Sequence, residues 1–234
     1  MVNLYYDWDW AAAEREFKRA IALKPTDTTA YLRYGAALAW FQRFDEAHRV
    51  VTRGLEADPV DPLLNTAMAQ IFYWARRYDE AIDQYRKAME LDPNYFQTYL
   101  MMGQVHLKTG AYDEAIGELE KAIELGGGSQ VIATLADAYA LSGQTGEARK
   151  TLAGLTDRSS QTYAPPFDVA LAYVGLGDYD QAFAWLEKAY DERARAMLSL
   201  KVNPLLDPLR SDPRFGALIR RMRILDSSSV VSAK

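Results

Sequence analysis

Residues 78–93 read YDEAIDQYRKAMELDP, and the rest of the chain repeats their pattern. Ala81, Ile82, Tyr85, Ala88 and Met89 fall on one side of a helix with 3.6 residues per turn, and charged residues occupy the other side. The proline that closes the stretch, Pro93, marks the end of the helix, because proline cannot continue one. Copies of the stretch read WAAAEREFKRAIALKP at 10–25, FDEAHRVVTRGLEADP at 44–59 and YDEAIGELEKAIELG at 112–126. The chain is therefore predicted to contain several copies of one amphipathic helix.

The copies follow a fixed period. Pro25, Pro59 and Pro93 are spaced by 34 residues, and a track of small residues has almost the same spacing. That track consists of Ala13, Ala47, Ala81, Ala115, Ala148 and Ala182. A second apolar stretch lies upstream of each full copy, at residues 28–41, 62–75, 96–109, 129–142 and 163–176. Small residues let two helix axes approach to about 8–10 Å, so the period predicts stacked pairs of helices.

Recurring short motifs resemble those of the tetratricopeptide repeat family. They are Tyr34-Gly35, Met102-Gly103, the YDEA turns at Tyr78 and Tyr112, GDYDQA from Gly177, and the prolines. The resemblance covers roughly residues 8–194. It implies an all-α fold, a right-handed α-solenoid of about five helix pairs with an unpaired N-terminal helix and a C-terminal capping helix.

This resemblance divides the chain into repeats and flanking segments. Residues 1–27 are expected to be a partial repeat with only its second helix, and residues 28–194 to hold five repeats. The five repeats are placed at 28–61, 62–95, 96–128, 129–162 and 163–194. A C-terminal cap is expected at 195–225, within which residues 201–208, KVNPLLDP, contain too many prolines for a helix. A disordered tail is expected at 226–234.

Composition argues against several classes of function. The net charge of −5 disfavours a general nucleic-acid surface, and the absence of cysteine removes disulfides and thiolate metal ligands. We expect no membrane partner, because no apolar run reaches the roughly 20 residues of a membrane helix. The start, MVNLYYDWDW, lacks the basic and apolar regions of a signal peptide. These features favour a cytoplasmic protein.

Motifs of catalysis are missing from the sequence. It contains two histidines and neither an HExxH nor a G-x-S-x-G motif. Carboxylates such as Asp79 and Asp113 recur at the repeat turns, which favours helix capping over acid–base chemistry. We expect no enzyme, no metal and no cofactor.

Partner binding is the stronger hypothesis. In a solenoid of this family the first helix of each pair lines the concave side, so residues off the buried stripe are expected to face a partner. The predicted groove residues are Leu32, Trp40, Leu63, Gln70, Tyr73, Trp74, Leu100, Gln104 and Leu107. An apolar groove with scattered amides suits an amphipathic or extended peptide held by large side chains. The alternative is that Trp40, Tyr73 and Trp74 pack between repeats and face no ligand.

Two further functions remain open from the sequence. The first helix has no upstream partner, so Trp8, Trp10, Phe17 and Ile21 could mediate self-association into a homo-oligomer. A small-ligand sensor is a second alternative, without a positive feature in its favour.

The two ends of the chain resemble the C-terminal repeat tails of large bacterial signalling proteins. The similarity lies in DWDWAAAEREFKRAIAL near the start, and in PFDVALAYVGLGDYDQAFAWLEKAYDERA and DPLRSDPRFGALIRRM near the end. Such tails follow winged-helix regulators, serine/threonine kinases or nucleotide cyclases. The resemblance implies a bacterial, non-catalytic protein-interaction region with a regulatory role in signalling.

Overall fold

A computed structural model describes residues 10–159 and 165–222, and this part of the chain is helical and contains no strand. Its α-helices are α1 (Trp10–Leu23), α2 (Thr28–Trp40), α3 (Phe44–Ala57), α4 (Pro62–Trp74), α5 (Tyr78–Leu91), α6 (Phe96–Thr109), α7 (Tyr112–Glu124), α8 (Ser129–Leu141), α9 (Thr145–Ser159), α10 (Pro166–Gly175), α11 (Tyr179–Asp191) and α12 (Pro213–Arg221). Two short 3₁₀ helices lie at Arg195–Ser199 and Pro204–Leu209. The predicted all-α architecture of repeated helix pairs is confirmed. The predicted disordered tail at 226–234 lies outside the described residues.

Local sequence signals set the helix starts. The Asp27 side chain accepts a hydrogen bond from the Thr29 amide before α2, at 3.1 Å. Before α4, Asp61 accepts bonds from the amides of Leu63 and Leu64, with a proline in the first turn. These caps satisfy amides that the first turn of a helix leaves without an intrahelical partner.

The turn between the two helices of a pair needs one residue in the left-handed backbone region. Gly110, Gly143 and Gly177 occupy it in the last three pairs, with φ between 73° and 83°. Gln42 and Arg76 occupy the equivalent position in the first two pairs, with φ of 60° and 65°. Left-handed backbone is costly for residues other than glycine, so these two turns are strained by comparison.

Small residues lie where the helices cross. Ala47, Ala81 and Ala115 are 0% exposed, as the period predicts. The first helices are more deeply buried than the second: α4 buries nine side chains, whereas α5 buries Ala81, Tyr85 and Ala88. The second helices thus have a solvent-exposed face, and the first helices pack against neighbouring helices on several sides.

The chain forms two compact units. The first unit comprises α1 to α5 with residues 198–202 and 219–222, and the second comprises α6 to α11 with residues 203–218. In the first unit α1 packs on α2, and α2 contacts α3 and α4. In the second unit α6, α8 and α10 contact one another in succession, and each contacts the second helix of its own pair.

The region after the repeats differs from the expectation that prolines exclude helix from residues 201–208. Pro204–Leu209 forms a 3₁₀ helix with Pro208 inside it. A short 3₁₀ turn needs fewer backbone hydrogen bonds than an α-helix, and Asn203 starts it by accepting a hydrogen bond from the Leu205 amide at 3.0 Å. Further along, α12 buries Phe215 and Leu218.

Candidate partner-binding surface

The predicted groove residues lie on α2, α4 and α6, the first helices of three pairs. We call the side of the first helices that carries these positions the inner face. Its first-unit part is built by α2 and α4, which contact each other, and its second-unit part by α6, α8 and α10. The two parts differ in how much of their side-chain surface reaches solvent.

The inner face of the first unit keeps accessible side chains. Leu63, at the start of α4, is 43% exposed, and Leu32 and Gln70 are partly exposed. An exposed leucine and an amide on the same helix offer apolar contact together with hydrogen bonding to a peptide backbone.

The three aromatic groove residues of this unit are buried. Trp40 and Trp74 are each 7% exposed, and Tyr73 is 1% exposed. The Trp40 and Trp74 rings, 34 residues apart in sequence, contact each other with centroids 6.5 Å apart. This is the arrangement of the alternative interpretation, in which the aromatic residues pack between neighbouring pairs. A role for them in partner binding stays a prediction.

The groove residues of the second unit are covered. Leu100, Gln104 and Leu107 on α6 are 0%, 4% and 4% exposed. The second 3₁₀ helix contacts both α6 and α10, and Lys108 Nζ lies 3.7 Å from Asp207 Oδ2. A later part of the same chain therefore packs against two of the three helices that carry this face, which the repeat pattern does not reveal.

Two buried carboxyl groups lie on α8 and α10 of the second unit. Burial raises the pKa of Asp137 to about 7, although the charge of Lys108 opposes the rise. Burial also raises the pKa of Asp168 to about 7. A Cβ at Gly175 would overlap Asp137 Oδ1, so this glycine makes room for the carboxyl group. In the sequence, Asp137 could be related to the inner face only by its position in the repeat, where it aligns with Gln70 and Gln104.

Arg76 connects a strained turn to the C-terminal region of the first unit. Its Nη1 donates hydrogen bonds to the carbonyl oxygens of Trp74 at 3.0 Å and Val202 at 2.8 Å. An arginine thus stands where later repeats have glycine and uses its side chain to hold residues 198–202.

The side chains proposed for self-association pack within the chain. Trp10, Phe17 and Ile21 are 3%, 7% and 9% exposed. The Trp10 ring lies 4.4 Å from the Phe41 ring, and Phe17 stacks on Tyr34 at 5.6 Å. Self-association through these residues would require α1 to leave α2, and it remains a prediction. Trp8 lies outside the described residues.

A network of charges fastens α1 to the first repeat. Glu14 accepts hydrogen bonds from Tyr34 Oη at 2.9 Å and Arg43 Nη1 at 2.8 Å, and Lys18 Nζ lies 2.8 Å away. Burial alone would raise the pKa of Glu14, but these three partners outweigh it and lower the pKa to about 2. The network therefore joins α1 to α2 and to the turn that follows α2.

The described residues offer neither a metal site nor a membrane span. Within residues 10–159 and 165–222, no group of three or more His, Cys, Asp or Glu side chains is placed to hold a metal ion. Over the same residues, no helix combines the length and apolar character that crossing a bilayer requires.

Solved structures of low sequence identity share the fold. A tetratricopeptide repeat protein from Parabacteroides merdae is 16% identical, with a TM-score of 0.59 over 98% of this chain and 93% of that one. A thermophilic TPR protein from Thermus thermophilus is 20% identical, with a TM-score of 0.59 over 82% and 99%. YrrB, described as a TPR protein with an unusual peptide-binding site, is 22% identical, with a TM-score of 0.50 over 79% and 96%.

Family profiles place the repeats in the sequence. No curated protein matches significantly. Profiles described as tetratricopeptide repeat match residues 7–71, 96–125 and 167–194, and one described as TPR repeat matches 69–110. Together they span more than half of the chain, at the positions where the structure has its helix pairs. The chain belongs to the tetratricopeptide repeat proteins.

Proposed function

We propose that this protein is a non-catalytic scaffold that binds a peptide or a partner domain on the inner face of its first unit. The observation that carries the proposal is the accessible part of α2 and α4. Leu63 is 43% exposed on that face, with Leu32 and Gln70 partly exposed. The packed Trp40 and Trp74 rings make the two helices that carry these residues a rigid support.

The chemistry of this surface suits an extended or amphipathic peptide. Large apolar side chains of the peptide would be buried against Leu63 and Leu32, since a few buried anchors carry most of the energy of an interface. The Gln70 amide can both donate to and accept from a peptide backbone. Peptide binding by YrrB, which shares the fold, supports this choice.

Peptide selection tests the proposal. Random peptides displayed on phage would be selected on the full chain, and the enriched sequences synthesised. We expect peptides with spaced large apolar residues, and we expect Leu63→Glu to weaken their binding about tenfold or more, because it puts a charge at the apolar contact. Leu23→Glu is the matched control, since Leu23 is 76% exposed on α1 and lies outside the inner face.

The two variants separate specific from general apolar binding. Equal weakening by Leu23→Glu and Leu63→Glu would show that the peptides bind any exposed leucine, and enrichment of no peptide would also contradict the proposal. Circular dichroism checks that both variants keep their helices.

The cellular setting is proposed from the resemblance of the two ends of the chain to regulatory tails. We infer a cytoplasmic, regulatory role in a bacterial signalling protein, in which the scaffold binds a partner or another domain of the same protein. Sequencing the genomic DNA on both sides of the region that encodes residues 1–234 tests this inference. An effector domain encoded in the same reading frame supports it, and in-frame stop codons on both sides contradict it.

A further inference from the structure

Residues 203–210, which we call the return segment, are largely apolar and deeply buried. Leu205, Leu206 and Leu209 are between 0% and 4% exposed. The return segment belongs to the second unit. The segment follows the last repeat, so it is not one of the helix pairs of the solenoid.

In the second unit the return segment contacts the helices that build the inner face. Its 3₁₀ helix contacts α6 and α10, and the Asp207 carboxylate lies 3.7 Å from Lys108 Nζ. On α6, Leu100 and Leu107 are 0% and 4% exposed. A segment of leucines and prolines with one acidic residue thus lies against two helices that build the inner face.

The return segment is organised by its own hydrogen bonds. Arg210 Nε donates to Asp207 Oδ1 at 2.7 Å, and Arg210 Nη2 donates to the Asn203 carbonyl at 3.2 Å. The Leu206 amide also donates to the Asn203 carbonyl at 3.2 Å. A single 3₁₀ turn does not persist in water without packing, so these bonds break when the segment leaves the inner face.

We propose that the return segment is a tethered ligand of the inner face of the second unit, and that a partner protein binds there by replacing it. The partner supplies a leucine- and proline-containing segment with an acidic side chain that pairs with Lys108. This inference rests on the proposed function for the idea that inner faces bind peptide segments. It adds the location in the second unit, the competing occupant and the chemistry of the partner.

Hydrogen exchange on the full chain tests whether the segment can leave. The amides of Leu206 and Arg210 are hydrogen-bonded within the segment, so their exchange reports its opening. We expect them to exchange at least about tenfold faster than the interior amides of α6 and α10, because the segment opens without unfolding of the repeats. Equal rates would show that the segment is an integral part of the core and would overturn the proposal.

A binding assay tests the exchange of ligands. A fluorescent peptide with the sequence SLKVNPLLDPLRSD, residues 199–212, is added to the full chain and followed by anisotropy. We expect Leu206→Glu to raise its affinity at least about tenfold over wild type, because the charge expels the tethered copy. Ile123→Glu is the matched control, since Ile123 is 37% exposed on α7, and it should leave the affinity unchanged.

Charge reversal tests the role of Lys108. In the Leu206→Glu background, Lys108→Glu should weaken peptide binding about fivefold or more, and a peptide with Asp207→Lys should restore it. A folded Leu206→Glu chain that does not bind the peptide overturns the proposal; if this variant unfolds, the exchange rates of the wild-type chain decide. The two proposals can be told apart. If binding of the 199–212 peptide depends on Lys108 while Leu63→Glu does not weaken binding of the selected peptides, the results support this inference and contradict the proposed function.

Discussion

At the scale of single residues, the stacking depends on positions where no larger side chain fits. Gly54 on α3 is buried, and a Cβ built on it would lie 2.9 Å from Leu64 Cδ1 and 2.9 Å from Tyr31 Cβ. Tyr31 belongs to α2 and Leu64 to α4. One small residue therefore lets three helices meet.

Gly54→Ala is expected to lower the free energy of unfolding by about 1–3 kcal/mol, because overpacking outweighs the gain in helix propensity. Gly117 makes a matched control, since it is an exposed helical glycine with no atom within 4 Å of a built Cβ. Gly117→Ala should raise the free energy of unfolding by up to about 1 kcal/mol. Urea denaturation measures both, and a gain at both positions would contradict the close approach.

The sequence period predicted the buried small residues, because each recurs at one place in every pair. It left open whether Trp40 and Trp74 are buried between repeats or face a partner. Periodicity shows that a side chain lies off the main stripe of its helix, and it does not show whether the neighbouring first helix covers that side. The strained turns at Gln42 and Arg76 were hidden as well, since neither residue type favours left-handed backbone.

At the scale of elements, α1 is held by both packing and charge. The sequence predicted a helix without an upstream partner, with an exposed apolar side; the residues before Trp10 lie outside the described part of the chain. The stacking of Phe17 on Tyr34 and the bonds of Glu14 to Tyr34 and Arg43 instead join α1 to the first repeat. Periodicity could not reveal these bonds, because they join side chains on different helices.

Glu14→Gln should lower the free energy of unfolding by about 1–2 kcal/mol at pH 7, where the wild-type carboxylate is charged and paired. The folded pKa, about 2, lies below the usual glutamate value of 4.5, so this stabilisation is present above pH 4.5 and is lost as the pH falls towards 2. Denaturation of both proteins between pH 7 and pH 2 measures it. A difference that does not shrink with acid would contradict the charge network.

The buried carboxyl groups of α8 and α10 change stability with pH in the opposite sense to Glu14. Asp137 and Asp168 have folded pKa values raised to about 7 from the usual aspartate value of 3.8. The folded state binds more protons than the unfolded state between these values, so stability falls as the pH rises from about 4 to 7.

Asp137→Asn should therefore stabilise the chain, relative to wild type, by on the order of 1–3 kcal/mol more at pH 8 than at pH 4. The reason is that the neutral amide stays uncharged at every pH, whereas the buried carboxyl group loses its hydration when it ionises. Asp191→Asn, on the exposed end of α11, is the control and should show no such trend. Denaturation midpoints across this pH range measure the effect, and parallel curves for wild type and Asp137→Asn would contradict the burial of a carboxyl group.

At the scale of the whole molecule, local and distant features differ in how well the sequence predicts them. Helix pairs follow from spacing within about 34 residues, so the repeats and their first and second helices could be assigned. The contact of the return segment with the inner face could not, because it joins positions far apart in sequence, such as Lys108 and Asp207. The sequence therefore predicted an inner face on the first helices, which stays a prediction, and did not indicate that a later segment packs against two of them in the second unit.

The central claim is that the first helices of the first unit form the partner-binding surface. Nitrogen-15 NMR of the full chain, titrated with a peptide selected on it, tests this most directly. We predict that the largest chemical-shift changes fall on α2 and α4, at Leu32, Leu63 and Gln70, and that the solvent-exposed faces of α3 and α5 stay unchanged. Chemical-shift changes confined to α3 and α5, with none on α2 and α4, would contradict this location of the partner-binding surface.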